Sequence, residues 1–180
     1  SALILRGPNG SGKSSLLRLM AGLLRPASGT LLRDGQPVED DPEYHRSSLH
    51  YVGHHDAIKA VLTVSENLSF WAGVRDQADS VDSALERFGL SPLADTAARL
   101  LSAGQRRRLN LARIAASPAP LWLLDEPATA LDNASTAVLI ELIVEHRASG
   151  GIAVMSTHTA LSIPDSIDLA LHQFSHASPH

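Results

Sequence analysis

The strongest structural signal in this chain of 180 residues is the run Gly7-Pro8-Asn9-Gly10-Ser11-Gly12-Lys13-Ser14. It matches the pattern G-x-x-x-x-G-K-[ST] at every fixed position, and it follows the apolar run Ala2-Leu3-Ile4-Leu5. Apolar residues recur at helical spacing after Lys13, which predicts a helix that Gly22 ends. A strand, a glycine-rich loop and a helix in this order bind phosphate, because main-chain N–H groups and the positive helix end face the anion.

This loop predicts a nucleotide site with defined roles for its side chains. We expect Lys13 to reach the β- and γ-phosphate oxygens of the bound nucleotide and the Ser14 hydroxyl to hold Mg²⁺. The predicted phosphate-binding residues are Gly7, Pro8, Asn9, Gly10, Ser11, Gly12, Lys13, Ser14 and Ser15.

A second stretch, Leu121-Trp122-Leu123-Leu124-Asp125-Glu126, is an apolar strand that ends in two carboxylates. If it lies parallel to the first strand, both acids come to the edge of the sheet that carries the phosphate loop. Asp125 would then orient Mg²⁺ and its waters, and Glu126 would activate the attacking water as a general base. Taken alone, the same run could be a strand whose terminal acids face solvent.

A third stretch, Leu101-Ser102-Ala103-Gly104-Gln105, opens a predicted helix that continues to about residue 116. Ser102 and Gln105 form a capping-box pattern, so a well-capped helix is one interpretation. With Gly104, this helix start also offers a second anion-binding surface. Because the phosphate loop already holds its own nucleotide, the chain then carries two half-sites.

Together these motifs resemble the ATP-binding cassette (ABC) ATPases. The run from Leu101 to Gln105 resembles their signature motif, and the run from Leu121 to Glu126 resembles their Walker B strand. Ala130-Leu131-Asp132 is similar to their D-loop, and Ser156-Thr157-His158 to their switch-histidine segment. The resemblance implies an α/β fold of the P-loop NTPase type, with a mostly parallel sheet flanked by helices and an inserted helical subdomain.

The resemblance also implies site residues and an assembly. His158 would be a second catalytic residue at the γ-phosphate, beside Glu126. In a head-to-tail homodimer, Ser102, Gly104 and Gln105 of one copy would close over the ATP of the other, and Asp132 would join the nucleotide-binding residues.

The chain is predicted to be one domain over residues 1–180. Residues 1–62 and 101–180 would form the nucleotide-binding core, and about 63–100, which shows helical spacing and no convincing strand, would form the helical subdomain. Strands are expected near 2–5, 30–33, 121–124 and 152–155, with a hairpin turn at Asp34-Gly35 and a helix from about Asn133 to Ala148.

Within the ABC ATPases, the run from Tyr51 to Lys59 and the run from Leu62 to Leu68 resemble the subfamily that serves cytochrome c maturation. That resemblance implies an ATP-hydrolysing subunit that powers haem handling or export. It would act with integral membrane subunits, as a peripheral protein on the cytoplasmic face of the inner membrane. Two alternatives stay open: a soluble ATPase that acts on nucleic acid or ribosomes, and a non-hydrolytic, nucleotide-gated scaffold.

The amino-acid composition excludes several classes of function. The chain has 15 Lys and Arg against 19 Asp and Glu, a formal charge of −4, which argues against a nucleic-acid binder that works through bulk positive charge. It has no cysteine, so disulfides, cysteine-based zinc sites and thiol catalysis are excluded. No apolar run is long enough to cross a bilayer, and we expect no direct membrane insertion.

Four further points complete the predictions. His55 stands where most family members carry a glutamine that touches Mg²⁺, so we include His55 as a candidate Mg²⁺ contact, with a solvated loop histidine as the alternative. The chain starts one strand before the phosphate loop, and we expect the family's earlier strands and adenine-stacking aromatic residue to be missing, which would weaken base recognition.

The run from Arg106 to Arg108 is predicted to be a solvated helix face. His172, His176 and His180 have helical spacing for a metal or haem site, but Pro179 argues against a continuous helix there.

Overall fold

The structure is a computed structural model that describes residues 1–75, 80–158 and 161–171. Its strands and α-helices alternate along much of the chain, as expected for an α/β protein. In chain order they are β1 (Ala2–Arg6), α1 (Lys13–Met20), β2 (Leu32–Arg33), β3 (Gln36–Pro37), α2 (Pro42–Ser47), β4 (Leu49–Val52), α3 (Val64–Gly73), α4 (Val81–Arg87), α5 (Ala103–Ala116), β5 (Leu121–Asp125), α6 (Asn133–Ala148), β6 (Ile152–Ser156) and β7 (Ile167–Ala170). Short 3-10 helices cover Ser91–Leu93 and Ala98–Leu100.

A parallel sheet carries the predicted strands. Within the described part of the chain it has five strands in the order β4-β5-β6-β1-β7, and every neighbouring pair is parallel. This confirms the predicted α/β fold with a mostly parallel sheet. Strands β4 and β7, the two outermost strands of this sheet, were not predicted from the sequence. The register pairs Asp125 at the end of β5 with Ser156 at the end of β6, and Leu5 of β1 with the same Ser156. The carboxyl ends of β1, β5 and β6 therefore lie side by side.

The inner strands are apolar because both faces of a parallel sheet are covered. Leu5, Leu123 and Val154 of the sheet pack with Leu17 and Ala21 in one buried cluster. Since burying a leucine side chain contributes about 1.5–3 kcal/mol, this cluster holds α1 against the sheet and fixes where the phosphate loop lies.

Helix α1 ends as its sequence predicts. Gly22 has φ of 68°, a left-handed conformation that glycine adopts without steric cost. Its N–H donates to Leu19 O, and the N–H of Leu23 donates to Arg18 O, which is the Schellman pattern of a helix end. The predicted hairpin is also present, with Asp34 and Gly35 at φ 51° and 81° between β2 and β3. Its first strand is shorter than the predicted 30–33.

The chain divides into two compact units. The first consists of Ser1–His54, Ala119–Pro127 and Val144–His180, and the second of His55–Pro118 and Ala128–Ile143. The parallel sheet and the phosphate loop belong to the first unit. The predicted helical segment 63–100 lies inside the second.

The interior of the second unit contains charged groups. Arg107 is only 5% exposed, and its guanidinium lies 3.5 Å from the Asp56 carboxylate, which also accepts a hydrogen bond from Asn110 Nδ2 at 2.9 Å. The prediction that Arg106 to Arg108 form a solvated face is therefore wrong for Arg107. Helical periodicity is the reason, because Arg107 lies on the same face of α5 as the buried residues Asn110 and Ile114.

None of the helices in the described ranges combines the length and the apolar character needed to cross a membrane.

Candidate active site

The phosphate loop joins the carboxyl end of β1 to the start of α1. Gly10 and Gly12 have φ of 83° and 89°, so both need the left-handed backbone that glycine permits. A Cβ added to Gly7 would lie 2.5 Å from Ser11 Oγ, so the side of the loop near β1 is tightly packed. The sequence pattern therefore corresponds to real backbone requirements.

Lys13 is buried, although it is a lysine in the first turn of a helix. Its Nζ donates hydrogen bonds to Gly7 O at 2.7 Å and Pro8 O at 3.0 Å, so the side chain folds back across the loop. The ammonium group is thus held inside the loop, where it can serve a bound anion.

A chain of hydrogen bonds connects this loop to the end of β5. Ser14 Oγ donates to Asp125 Oδ1 at 3.0 Å, and Ser156 Oγ donates to the same oxygen at 2.6 Å. Asp125 is 2% exposed and Ser156 is fully buried. The structure therefore brings together Ser14 and Asp125, the two predicted Mg²⁺ residues of the first unit, and adds Ser156, to which the sequence analysis gave no role.

Glu126 and His158, the two predicted catalytic residues, are in contact. His158 Nδ1 lies 2.7 Å from Glu126 Oε2, and the main-chain N–H of His158 donates to the same oxygen at 3.3 Å. Glu126 has φ of 49°, which is uncommon for a residue with a side chain and is found mainly at functional sites and turns. Its side chain is 17% exposed and that of His158 is 58% exposed, so solvent reaches the pair from the histidine side.

In the second unit, the predicted signature residues cap α5. Gln105 N donates to Ser102 Oγ at 3.2 Å, and Ser102 N donates to Gln105 Oε1 at 2.8 Å. This capping box satisfies amide groups at the helix start, as the sequence indicates. Ser102 is exposed and Gln105 is partly exposed.

Gly104 and Asp132 belong to the same unit, and the start of α5, which contains Gly104, packs against the segment that leads to Asp132. A Cβ added to Gly104 would come 3.1 Å from Ala130 O, so the signature helix packs tightly on the segment that contains Asp132. Asp132 Oδ1 accepts a hydrogen bond from Ser135 N at 2.7 Å and so caps α6. Hydrogen bonding from Ser135 lowers the pKa of Asp132 and keeps its carboxylate ionised.

His55, the candidate replacement for the family glutamine, is the first residue of the second unit and is exposed. Across residues 1–75, 80–158 and 161–171, no cluster of three or more His, Cys, Asp or Glu side chains could hold a metal ion. His172, His176 and His180 lie outside the described residues.

Comparison with known proteins identifies the family. The family model described as "ABC transporter" matches residues 1–129, which is more than half of the chain. The chain belongs to the ABC transporter family. It is therefore a nucleotide-binding ATPase of the transport type.

Two relatives within the ABC family are especially similar. The "Cytochrome c biogenesis ATP-binding export protein CcmA" of Paramagnetospirillum magneticum is 56% identical over 178 residues, covering 96% of this chain and 82% of the relative. The protein of the same name from Rhodospirillum rubrum is 59% identical over 174 residues, covering 96% of this chain and 75% of the relative.

A solved structure titled "Structure of ATP binding subunit of ABC transporter" has the same fold. It superposes with a TM-score of 0.83 at 24% identity, over 94% of this chain and 75% of that chain. This likeness concerns the ABC fold alone.

Two contacts of the described structure were not predicted from the sequence motifs. Ser156 was quoted only as part of the switch-histidine segment, and its contact with Asp125 depends on the strand register. The burial of Arg107 and its pairing with Asp56, the residue after His55, were also missed. The helical spacing of Arg107 with Asn110 was the available signal for a buried position.

Proposed function

We propose that this chain is the ATP-hydrolysing subunit of a membrane transport complex that serves cytochrome c biogenesis. Family membership supports the ATPase activity, and the names of the two relatives support the biological process. In this proposal the chain binds integral membrane subunits as a peripheral protein on the cytoplasmic face of the membrane and powers the handling or export of haem. The same names favour this function over an ATPase that acts on nucleic acid or ribosomes and over a non-hydrolytic scaffold.

The single observation that carries the catalytic part is the hydrogen bond from Ser14 Oγ to Asp125 Oδ1 at 3.0 Å. It joins the phosphate loop to the strand that ends in the two acids, although the residues are 111 positions apart. Mg²⁺ takes oxygen ligands and is usually held by one or two carboxylates together with substrate phosphates. Ser14 and Asp125 supply donors of that kind, so they fit Mg²⁺, which when bound would neutralise phosphate charge.

Glu126 is the proposed general base. Its carboxylate accepts the proton of the attacking water, while the contacts from His158 Nδ1 and the His158 N–H hold the carboxylate in one orientation. Lys13 exchanges the carbonyls of Gly7 and Pro8 for phosphate oxygens when ATP binds. His158, which is more exposed than Glu126, is available to contact the γ-phosphate.

The second unit supplies the proposed partner half-site. Ser102, Gly104 and Gln105 would face the nucleotide of a second copy in a head-to-tail homodimer, with Asp132 beside them. The capping geometry supports this, because the start of α5 combines helix N–H groups with an exposed Ser102 hydroxyl.

A complementation experiment tests the proposal. In a bacterium that lacks its own CcmA-type subunit, this chain is expected to restore c-type cytochromes and to co-purify with membrane proteins that stimulate its ATP hydrolysis. Lys13→Ala should abolish both effects. Arg18→Ala removes a positive charge from an exposed position on the same helix and should behave like the parent chain.

Two results would contradict the proposal. If ATP hydrolysis is present but c-type cytochromes are not restored and no membrane protein co-purifies, the assignment to cytochrome c biogenesis fails. If Lys13→Ala hydrolyses ATP as fast as the parent chain, the assignment of the phosphate loop fails.

A further inference from the structure

Ser156 is a fully buried hydroxyl between the two acidic residues at the end of β5. Its Oγ donates to Asp125 Oδ1 at 2.6 Å and accepts a hydrogen bond from the Glu126 N–H at 3.0 Å. One hydroxyl has one proton to donate and lone pairs to accept, so both roles are used at once. Ser156 therefore connects the predicted Mg²⁺ residue to the predicted general base.

The strand register explains why position 156 can do this. Asp125 pairs with Ser156 across the parallel strands β5 and β6, and each is the last residue of its strand. Beyond this point the chain leaves the sheet, and Glu126 takes its left-handed backbone at φ 49°. The Glu126 N–H also contacts the main-chain Ser156 O at 3.2 Å. Both oxygens of Ser156 thus hold the amide of Glu126, whose left-handed backbone is strained.

We propose that Ser156 is a positioning residue for ATP hydrolysis, which holds the Asp125 carboxylate towards Mg²⁺ and the Glu126 backbone in its left-handed turn. This inference rests on the proposed ATPase function and adds a residue to its site. Hydrogen-bonding partners of metal-binding carboxylates orient these ligands, and their loss typically lowers metal affinity or activity about 10- to 100-fold.

The matched variants are Ser156→Thr and Ser156→Val. Threonine and valine have almost the same shape, so both add the same crowding at a buried position, but only threonine keeps the hydroxyl. Ser156→Ala is the third variant, which removes the hydroxyl without adding volume. If the two larger residues prevent folding, the comparison of Ser156→Ala with the parent chain decides the question.

Two readouts separate positioning from a general loss of stability. The first is the equilibrium affinity for ATP, measured with Mg²⁺ and again with EDTA; the second is the split between kcat and KM. Val154→Ala is the stability control, because Val154 is buried on the same strand and makes no polar contact with the acids.

Ser156→Val and Ser156→Ala are expected to lower kcat about 10- to 100-fold and to lose most of the Mg²⁺-dependent gain in ATP affinity. Their ATP affinity in EDTA should match that of the parent chain. Ser156→Thr should retain the Mg²⁺ gain and most of kcat. Val154→Ala should lower the melting temperature and leave the Mg²⁺ gain intact.

The proposal is overturned if Ser156→Val and Ser156→Ala keep both kcat and the Mg²⁺ gain, or if Val154→Ala loses the Mg²⁺ gain to the same extent. A parent chain that neither binds nor hydrolyses ATP in complex with its membrane partners is a different result. It would overturn the proposed function first, and with it the role of Ser156.

Discussion

His158 Nδ1 lies 2.7 Å from Glu126 Oε2, and the main-chain N–H of His158 approaches the same oxygen at 3.3 Å. Two neighbouring strands, β5 and β6, therefore both contribute to the position of the Glu126 carboxylate. Strand β5 supplies the residue, and the segment after β6 holds its side chain. A carboxylate held in this way loses little orientational freedom when a water molecule binds, which favours its use as a general base.

Glu126→Gln should lower kcat for ATP hydrolysis by about 10²- to 10⁴-fold, because the amide cannot accept the proton of the attacking water. ATP affinity should be unchanged, and the variant should accumulate as an ATP-bound dimer. Steady-state hydrolysis and size measurement with and without ATP would check both expectations. Retained turnover in Glu126→Gln would place the base elsewhere.

Variants of His158 can show which ring nitrogen matters. The Asn side-chain nitrogen resembles the position of imidazole Nδ1, so His158→Asn should keep part of the contact with Glu126, whereas His158→Gln should lose more of it. We expect a lower kcat for the Gln variant than for the Asn variant, at similar ATP affinity. The reverse order would indicate that Nδ1 does not support Glu126.

Gly104→Ala should disturb the segment that contains Asp132, because the added Cβ would lie 3.1 Å from Ala130 O. We expect ATP binding by the single chain to be unchanged, while ATP-dependent dimer formation and hydrolysis decrease. Gly73→Ala is the control, since a Cβ at Gly73 meets no atom within 4 Å. Equal dimerisation by both variants would contradict the assignment of Gly104 to the dimer contact.

Asp56→Ala should destabilise the protein by about 2–3 kcal/mol, because it leaves the buried guanidinium of Arg107 without this carboxylate. The figure is below that of a fully buried pair because the Asp56 side chain is 26% exposed. Denaturant unfolding measures it. Glu86→Ala, which removes an exposed carboxylate from α4, should change the free energy of unfolding by about 0.5 kcal/mol or less. If both variants change the free energy of unfolding by a similarly small amount, Asp56 does not stabilise the buried Arg107 as proposed.

The histidine at the end of α6 should make stability depend on pH. The His146 ring stacks on Trp122 with 3.7 Å between ring centroids, and burial lowers the pKa of His146 below its ordinary value of 6.5. The folded state then binds protons less readily than the unfolded state, so this contribution is complete above pH 6.5 and is lost as the pH falls below that value. The free energy of unfolding therefore depends on pH, through His146, between the lowered pKa of His146 and 6.5.

Melting temperatures between pH 5 and 8 test this expectation. His146→Phe keeps a ring for the stack and removes the titrating group, so its melting temperature should fall less on acidification than that of the parent chain. Parallel curves for the parent chain and His146→Phe would show that His146 does not cause the fall.

Much of the local structure was predictable from spacing and capping residues. Helix α1 and its end at Gly22, the turn at Asp34-Gly35 and the capping box at Ser102 depend on residues within a few positions of one another. Strands β4 and β7 were not predicted because polar residues interrupt their apolar pattern. The sequence of β4 is Leu-His-Tyr-Val, and that of β7 is Ile-Asp-Leu-Ala. Pairing with a distant strand makes such a segment a strand, and a short window of sequence does not contain that partner.

The phosphate loop, the order of the motifs and the position of Asp125 and Glu126 at the end of a strand were all predictable from the amino-acid sequence. The reason is that main-chain geometry in these segments follows from glycines, apolar runs and capping residues. Folding in three dimensions added the contacts between those pieces. Ser156 reaches Asp125 across 31 residues and His158 reaches Glu126 across 32. Their alignment comes from the parallel register of β5 and β6, which the packing of the whole sheet sets and no local pattern encodes.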